Sequence, residues 1–262
     1  MTSTVGGLSS GHHQSERPSV PVPNLIDGIA PVYAITDLRV IRHGQSTANV
    51  AFASPNTDLP LPGRDAEVKL SSLGHEQAVA LGGWLAGLDE SERPQLTVCS
   101  PYLRARQTWA VMARTAEAIN PGSGSVRTLI DERLRDREMG VFELHPPAAI
   151  RVIASNEVER RDRVGEWFYR PPGGESLADV CLRIRDILNE VDRTCGAIRV
   201  LMIAHDAVAA AVRQIAAGVG ALPPAELDVV SNGSISRWQS DDGRLRVTEW
   251  SNTDHLPEEV KR

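Results

Sequence analysis

Leu38-Arg39-Val40-Ile41-Arg42-His43-Gly44 is a short, largely apolar run that ends abruptly on an arginine, a histidine and a glycine. That is the pattern of a buried strand running out into a turn, with two chemically versatile side chains at its carboxyl end. The pattern recurs on either side. Leu96-Thr97-Val98-Cys99 breaks at Ser100-Pro101, and Val126 to Ile130 is a third run. Arg199-Val200-Leu201-Met202-Ile203-Ala204 is the most apolar and reads as a central strand, ending at His205. Ser234 to Gln239 and Leu245 to Trp250 flank Asp241-Asp242-Gly243. Asp-Gly between alternating runs predicts a hairpin and therefore an antiparallel edge.

Helical periodicity fills the intervals. Leu177, Val180, Cys181, Ile184, Ile187, Leu188 and Val191 recur at three- and four-residue spacing, one buried face of a helix opened by Gly173-Gly174-Glu175-Ser176. Ser71 or Ser72 opens another that runs through Ala78, Leu81 and Leu85 to Gly87, and further helices are expected over Leu103 to Ala118 and Ala207 to Ala217. Strands alternating with amphipathic helices predict an α/β fold. One domain is expected over 33–262, preceded by a Gly-, Ser- and Pro-containing leader over 1–32 that reads as flexible. A charged, partly helical insertion at about 141–172 follows the third strand and is expected to cap the site.

The chain has 262 residues, 41% hydrophobic and 24% charged, enough for one substantial core. Its formal net charge of −6 and pI near 5.7 argue against a nucleic-acid scaffold. No run approaches the roughly 18 apolar residues of a membrane span. Cys99, Cys181 and Cys195 are an odd number without metal-like spacing, which points to a reducing, cytoplasmic setting. His12 and His13 stand without further ligands and read as solvated.

The strand ends carry the chemistry. Arg42 and His43 follow the first, Arg104 and Arg106 the second, Asp131, Glu132 and Asp136 the third, and His205 the fourth. Ligands bind open α/β sheets beyond the carboxyl ends of parallel strands. Arginine offers a planar fork of donors to phosphate oxygens, and histidine can act as nucleophile or donor near neutral pH. These residue types together predict a phosphate-handling site with no metal.

Arg42-His43-Gly44-Gln45-Ser46-Thr47-Ala48-Asn49 resembles the Arg-His-Gly signature of the histidine phosphatase, or phosphoglycerate mutase-like, superfamily. Further segments resemble that family in the same order: Leu70 to Ala78, Ser100-Pro101-Tyr102-Leu103-Arg104-Ala105-Arg106-Gln107-Thr108, Asp131 to Gly140, Gly173 to Ser176, and Ala204-His205. The resemblance spans about 37–240. It implies a three-layer α/β/α sandwich around a mainly parallel sheet, and hydrolysis of a small-molecule phosphate monoester without cofactor or metal. By matching position, His43 would become the phosphohistidine, its ring oriented by the backbone of Gly44. Arg42, Asn49, Arg104 and His205 would bind the phosphoryl oxygens, and Asp136 would serve as general acid and then base.

Two positions depart from the family pattern. Asp136 stands where glutamate is usual in this branch, with Glu138 and Glu143 as alternatives. Asp206 follows the second histidine where glycine is usual, and is expected to point away or to pair with an arginine. Arg133, Arg135 and Arg137 surround Asp136, and one could hold its carboxylate, whereas Arg106 reads as structural. His75 and His145 read as solvated or rim residues. Trp167, Phe168 and Tyr169 read equally well as an aromatic wall over the substrate or as local packing. A mutase needs added cations for its sugar acid, and mutases resemble one another in a tryptophan-rich stretch after the signature. Val50 to Lys69 has no tryptophan, which favours a phosphatase. A catalytically idle phospho-ligand binder is the third reading, and a homodimer is left open.

Overall fold

The computed structural model describes residues 1, 29–54 and 59–261. The strands are β1 (Asp37–Arg42), β2 (Leu96–Cys99), β3 (Thr128–Ile130), β4 (Arg199–Ala204), β5 (Ile235–Asp241) and β6 (Arg244–Asn252). The helices are α1 (Thr47–Ala53), α2 (Ser72–Ala86), α3 (Leu103–Ile119), α4 (Pro147–Ile153), α5 (Ser155–Val164), α6 (Leu177–Cys195) and α7 (Asp206–Ala217). Most of the predicted leader, His12 and His13 included, lies outside the described residues. Its last part is described, and there Ile29 and Val32 bridge to Val219 and Arg244.

The strands form one sheet in the order β3-β2-β4-β1-β5-β6. β3, β2, β4 and β1 are parallel, while β5 and β6 add the expected antiparallel edge. Side chains alternate across the pleat, and both faces are buried. Leu38, Val40, Val200 and Met202 pack with α6 and α7 in one cluster. Ile41, Leu201 and Ile203 pack with Leu81, Leu85 and Met112 of α2 and α3 in the other. This is an α/β/α sandwich with β4 and β1 at its centre, as the apolarity of β4 predicts.

Local chemistry sets the boundaries. Ser71 and Ser176 cap α2 and α6 by accepting from Gly74 and Asp179 backbone N–H groups. Asp242 and Gly243 have φ of 49° and 76°, the left-handed pair that a tight two-residue hairpin requires. The third strand is shorter than its apolar run because Val126 instead pairs with the Gly124 carbonyl in a turn, and β3 lies exposed at the sheet edge. Helix α1 was not foreseen from periodicity, since at 7 residues it offers too few turns for a face to show.

Candidate active site

β1 and β4 run in parallel with Arg42 opposite Ala204. The next residue on each chain is a histidine, so this register delivers His43 and His205 side by side, ring centroids 5.1 Å apart. β2 pairs with β4 through Cys99 and Ile203, which brings Ser100 and the start of α3 to the same edge. The chain leaving β3 turns through a short 3-10 segment, Glu132–Leu134, and presents Asp136 there. Arg42, His43, Asn49, Arg104 and Asp136 line a single cavity, with buried His205 behind them.

The His43 ring is fixed from both ends. Nδ1 lies 2.7 Å from the Gly44 carbonyl, which can only accept, so Nδ1 carries the proton. The lone pair is then on Nε2, where the Arg104 Nε–H donates at 3.1 Å. Arg104 is buried, and its other donors meet carboxylates. Nη1 donates to Asp65 Oδ1 at 2.8 Å and to the Asp65 carbonyl at 2.7 Å. Nη2 donates to Asp65 Oδ2 at 3.1 Å and Asp136 Oδ2 at 2.9 Å. Asp136 Oδ2 also lies 3.2 Å from His205 Nδ1, while His205 Nε2 meets Ser100 Oγ at 2.9 Å. Arg42 reaches the Val230 carbonyl and pairs with Asp206 at 3.3 Å. Asn49 accepts from the Ser46 N–H and hydroxyl on Oδ1, closing a capping box on α1. That commits its oxygen to the helix start and leaves its NH2 as the end that can donate to an anion.

Burial sets the charge states. His43 is pushed well below the usual imidazole pKa by desolvation first, then by its neighbours Arg104, His205 and Arg42; the Gly44 hydrogen bond works the other way. It is therefore neutral at physiological pH. Burial raises Asp136, but His205 and Arg104, both against its Oδ2, outweigh it and hold this carboxyl well below its usual range. Asp65 goes the other way, because burial wins over its bonds to Arg104. The two carboxylates on one guanidinium are thus driven apart.

The surrounding polar residues act as scaffold. A Cβ on Gly44 would stand 2.4 Å from the Gly74 carbonyl oxygen, and one on Gly74 would stand 2.0 Å from that of Gln45. Only two glycines let the turn after β1 lie against the start of α2. Thr108 ties that turn to α3, accepting from Gly44 N–H at 3.1 Å and donating to the Arg104 carbonyl at 2.8 Å. Gln77 accepts from Gln45 N–H at 2.8 Å, and Gln107 from Leu70 N–H at 2.9 Å. Arg183, itself held by Glu175, donates to the carbonyls of Arg133, Arg135 and Asp136 and fixes the loop that carries Asp136.

Several sequence readings resolve here. None of Arg133, Arg135 and Arg137 uses its guanidinium on Asp136; they pair with Asp131, Glu138 and Glu166 among others, and Arg104 takes that place. The Arg137 backbone N–H does bond Asp136, at 2.8 Å. Glu138 is engaged by Arg135, and Glu143 accepts from the Asp65 N–H; neither lines the cavity. Asp206 takes the arginine-paired option. Trp167 joins the core, Tyr169 is buried and bonds Glu157, and Phe168 is exposed, so none of the three walls the cavity, while Phe52 and Phe142 do. His145 is also on the wall, and His75 is exposed on α2, bonded to the Ser71 carbonyl. Asp65 and Ser100 were missed.

His43, Asp136 and His205 bring ligand atoms within 4.8 Å of one another, a spacing a metal could span. Arg104 stands between them, 3.1 Å from His43 Nε2 and 2.9 Å from Asp136 Oδ2. An entering cation would meet a buried guanidinium, whereas a phosphate would meet donors. Asp65 occupies the fork such a phosphate would take. Asp65→Asn should therefore bind inorganic phosphate about tenfold more tightly than the parent, measured by calorimetry. Equal or weaker binding would show that Asp65 does not compete for Arg104.

Residues 38–253 match the family model of the histidine phosphatase superfamily, branch 1. The fructose-2,6-bisphosphatase TIGAR of Xenopus tropicalis is 28% identical over 156 residues, 60% of this chain and 50% of that protein. The chain thus spans about half the length of the TIGAR relatives it matches. A 2,3-bisphosphoglycerate-dependent phosphoglycerate mutase of Methylorubrum extorquens is 30% identical over 181 residues, 64% of this chain and 73% of that protein. Among solved structures, a protein described as mycobacterial hydrolase 1 superposes with a TM-score of 0.65 at 25% identity, covering 83% of this chain and 99% of that one. The native mycobacterial glucosyl-3-phosphoglycerate phosphatase shares the fold, with a TM-score of 0.64 at 24% identity over 83% of this chain and 99% of that one. The chain belongs to branch 1 of the histidine phosphatase superfamily.

Proposed function

We propose that this protein hydrolyses phosphate monoesters through a phosphohistidine on His43. The observation that carries this reading is the two-ended hold on one ring, Nδ1 on the Gly44 carbonyl and Nε2 facing Arg104. A neutral imidazole with its lone pair directed at a guanidinium is a nucleophile beside its electrophile's anchor. Arg42, Arg104, His205 and the Asn49 amide bind the phosphoryl oxygens, where charge resides in transfer. In the first step Nε2 bonds to phosphorus, the bond to the alcohol oxygen breaks, and Asp136 gives that oxygen its proton. In the second, water attacks phosphorus, the N–P bond breaks, and Asp136 takes the proton from water.

Asp136 is ionised in the free site, so the mechanism needs it to gain a proton on substrate binding. A phosphate dianion supplies the cause, because it draws Arg104 and His205 onto its own oxygens and adds negative charge beside the carboxyl. Hydrolysis is favoured over mutase transfer by the segment after the signature, which contributes the anion Asp65 to the cavity rather than a cation. The names of the TIGAR and mutase relatives support phosphoryl chemistry, though not a shared substrate. Cys99 and Cys181 are buried free thiols and Cys195 an exposed one, which supports a reducing, cytoplasmic setting. No helix among the described residues is long and apolar enough to cross a membrane.

His43→Ala should lose several orders of magnitude in turnover, and the parent should take an acid-labile label from an aryl phosphate with chelator present. A variant retaining more than about a tenth of the parent rate, or a label lost on chelation, would overturn the assignment.

Because His43 protonates only below the usual 6.5, its nucleophilic form persists on mild acidification. The burst of nitrophenol from p-nitrophenyl phosphate should hold its rate from about pH 8 down to about 6.5. A half-loss above that point would mean the ring is not held neutral.

Asp136→Asn should form the phosphohistidine readily from an aryl ester, whose phenolate leaves unaided, but slowly from an alkyl ester. Its second step should slow as well, giving a burst and then a lower steady rate. Equal slowing with both esters would remove Asp136 as the proton donor.

A further inference from the structure

The cavity leading from His43 encloses about 510 Å³, room for an alcohol portion as well as a phosphate. Its charges are distributed unusually for an anion site. Five carboxylates line it, Asp65, Asp136, Glu166, Asp206 and Asp228, against three arginines, Arg42, Arg104 and Arg137. Each arginine is already matched. Arg42 pairs with Asp206 at 3.3 Å, Arg104 with Asp65 at 2.8 Å and Asp136 at 2.9 Å, and Arg137 with Glu166 at 2.6 Å. Arg137 is further tied down by the Glu175 and Tyr169 carbonyls. Asp228, the fifth carboxylate, is bound by Arg213, which does not itself line this cavity.

A phosphoryl group can claim Arg104 and Arg42 at the inner end. Beyond them, among the described residues, the walls offer a second anion no unmatched arginine or lysine. His145 lines the cavity but already uses Nδ1 on the Glu143 carbonyl. The remaining surface includes Phe52, Met139, Phe142, Leu177, Val229 and Val230. An anionic substituent there would lose its hydration to apolar walls and face Glu166, Asp206 and Asp228.

We propose that the substrate is a phosphate monoester whose alcohol portion carries no negative charge, and that esters bearing a second phosphate or a carboxylate are rejected by the wall. This rests on the phosphatase reading. A phosphoryl group that claims Arg42 takes the partner of Asp206, so the selectivity comes from that released carboxylate against the wrong substrate as much as from contacts to the right one.

Glycerol 3-phosphate and 3-phosphoglycerate test this directly, since they differ only in a hydroxymethyl against a carboxylate. The 262-residue chain should favour the first by about tenfold or more in kcat/KM. Asp206→Asn combined with Asp228→Asn should narrow that ratio by raising turnover of the acid. Equal or better turnover of 3-phosphoglycerate by the parent, or an unchanged ratio in the double variant, overturns the proposal. If neither ester is hydrolysed, hydrolysis of p-nitrophenyl phosphate decides the phosphatase reading by itself. Calorimetry of the same pair with His43→Ala then decides the charge selectivity: about tenfold tighter binding of glycerol 3-phosphate upholds it, and equal binding overturns it.

Discussion

Burying a guanidinium costs several kcal/mol unless its donors find acceptors, and at Arg104 those acceptors come from three separate parts of the chain. The turn after β1 provides the His43 ring, the segment before α2 provides Asp65, and the loop after β3 provides Asp136. Arg104 stands in the first turn of α3, whose carbonyl ladder is anchored to the β1 turn by Thr108. One buried cation thereby makes the placement of three distant segments interdependent. Removing it would leave two carboxylates facing each other with no counter-charge, which is why a change there is expected to reach further than a lost contact.

The same network explains why so much of the site was legible from sequence. A parallel sheet sends its strand ends to one edge, so His43, His205, Arg104 and Asp136 could be assigned to a common place from where the apolar runs stop. Their approach to one another is then a matter of register, Arg42 beside Ala204 and Cys99 beside Ile203. Asp65 left no such trace. It lies in a stretch with no periodicity and meets Arg104 only through a contact across 39 positions. Ser100 looked like a strand terminator, and its hydroxyl's bond to His205 depends on the same strand pairing. Helix α1 did leave one signal, Ser46 with Asn49 three residues on, but a cap without a long apolar face behind it is easily passed over.

Several residues that gave the family signature its breadth do not touch the cavity. Gln77, Gln107 and Thr108 spend their polar groups on backbone, and the Gln45 side chain accepts from the Ser71 hydroxyl. They satisfy the irregular backbone around the β1 turn and the start of α2, where no ladder partner exists. Gly44 and Gly74 permit the close approach that those bonds then hold. A signature of this kind records how a turn is built as much as what it does. Trp167 and Tyr169 are the counterpart: conspicuous in sequence, yet buried away from the cavity to seat the segment around α5.

Asp65, paired with Arg104, would also limit how long a phosphate product stays. A carboxylate tethered beside Arg104 competes at an effective concentration fixed by the fold, not by the solvent. On the phosphatase reading, a departing phosphate would be replaced by an internal anion, so the guanidinium would not stand unpaired and rebinding would be discouraged. The device weakens ground-state binding of substrate and product alike, and it leaves untouched whatever Arg104 contributes only as phosphorus changes partners. On that reading, such a site would trade residence time for turnover and suit an abundant ester.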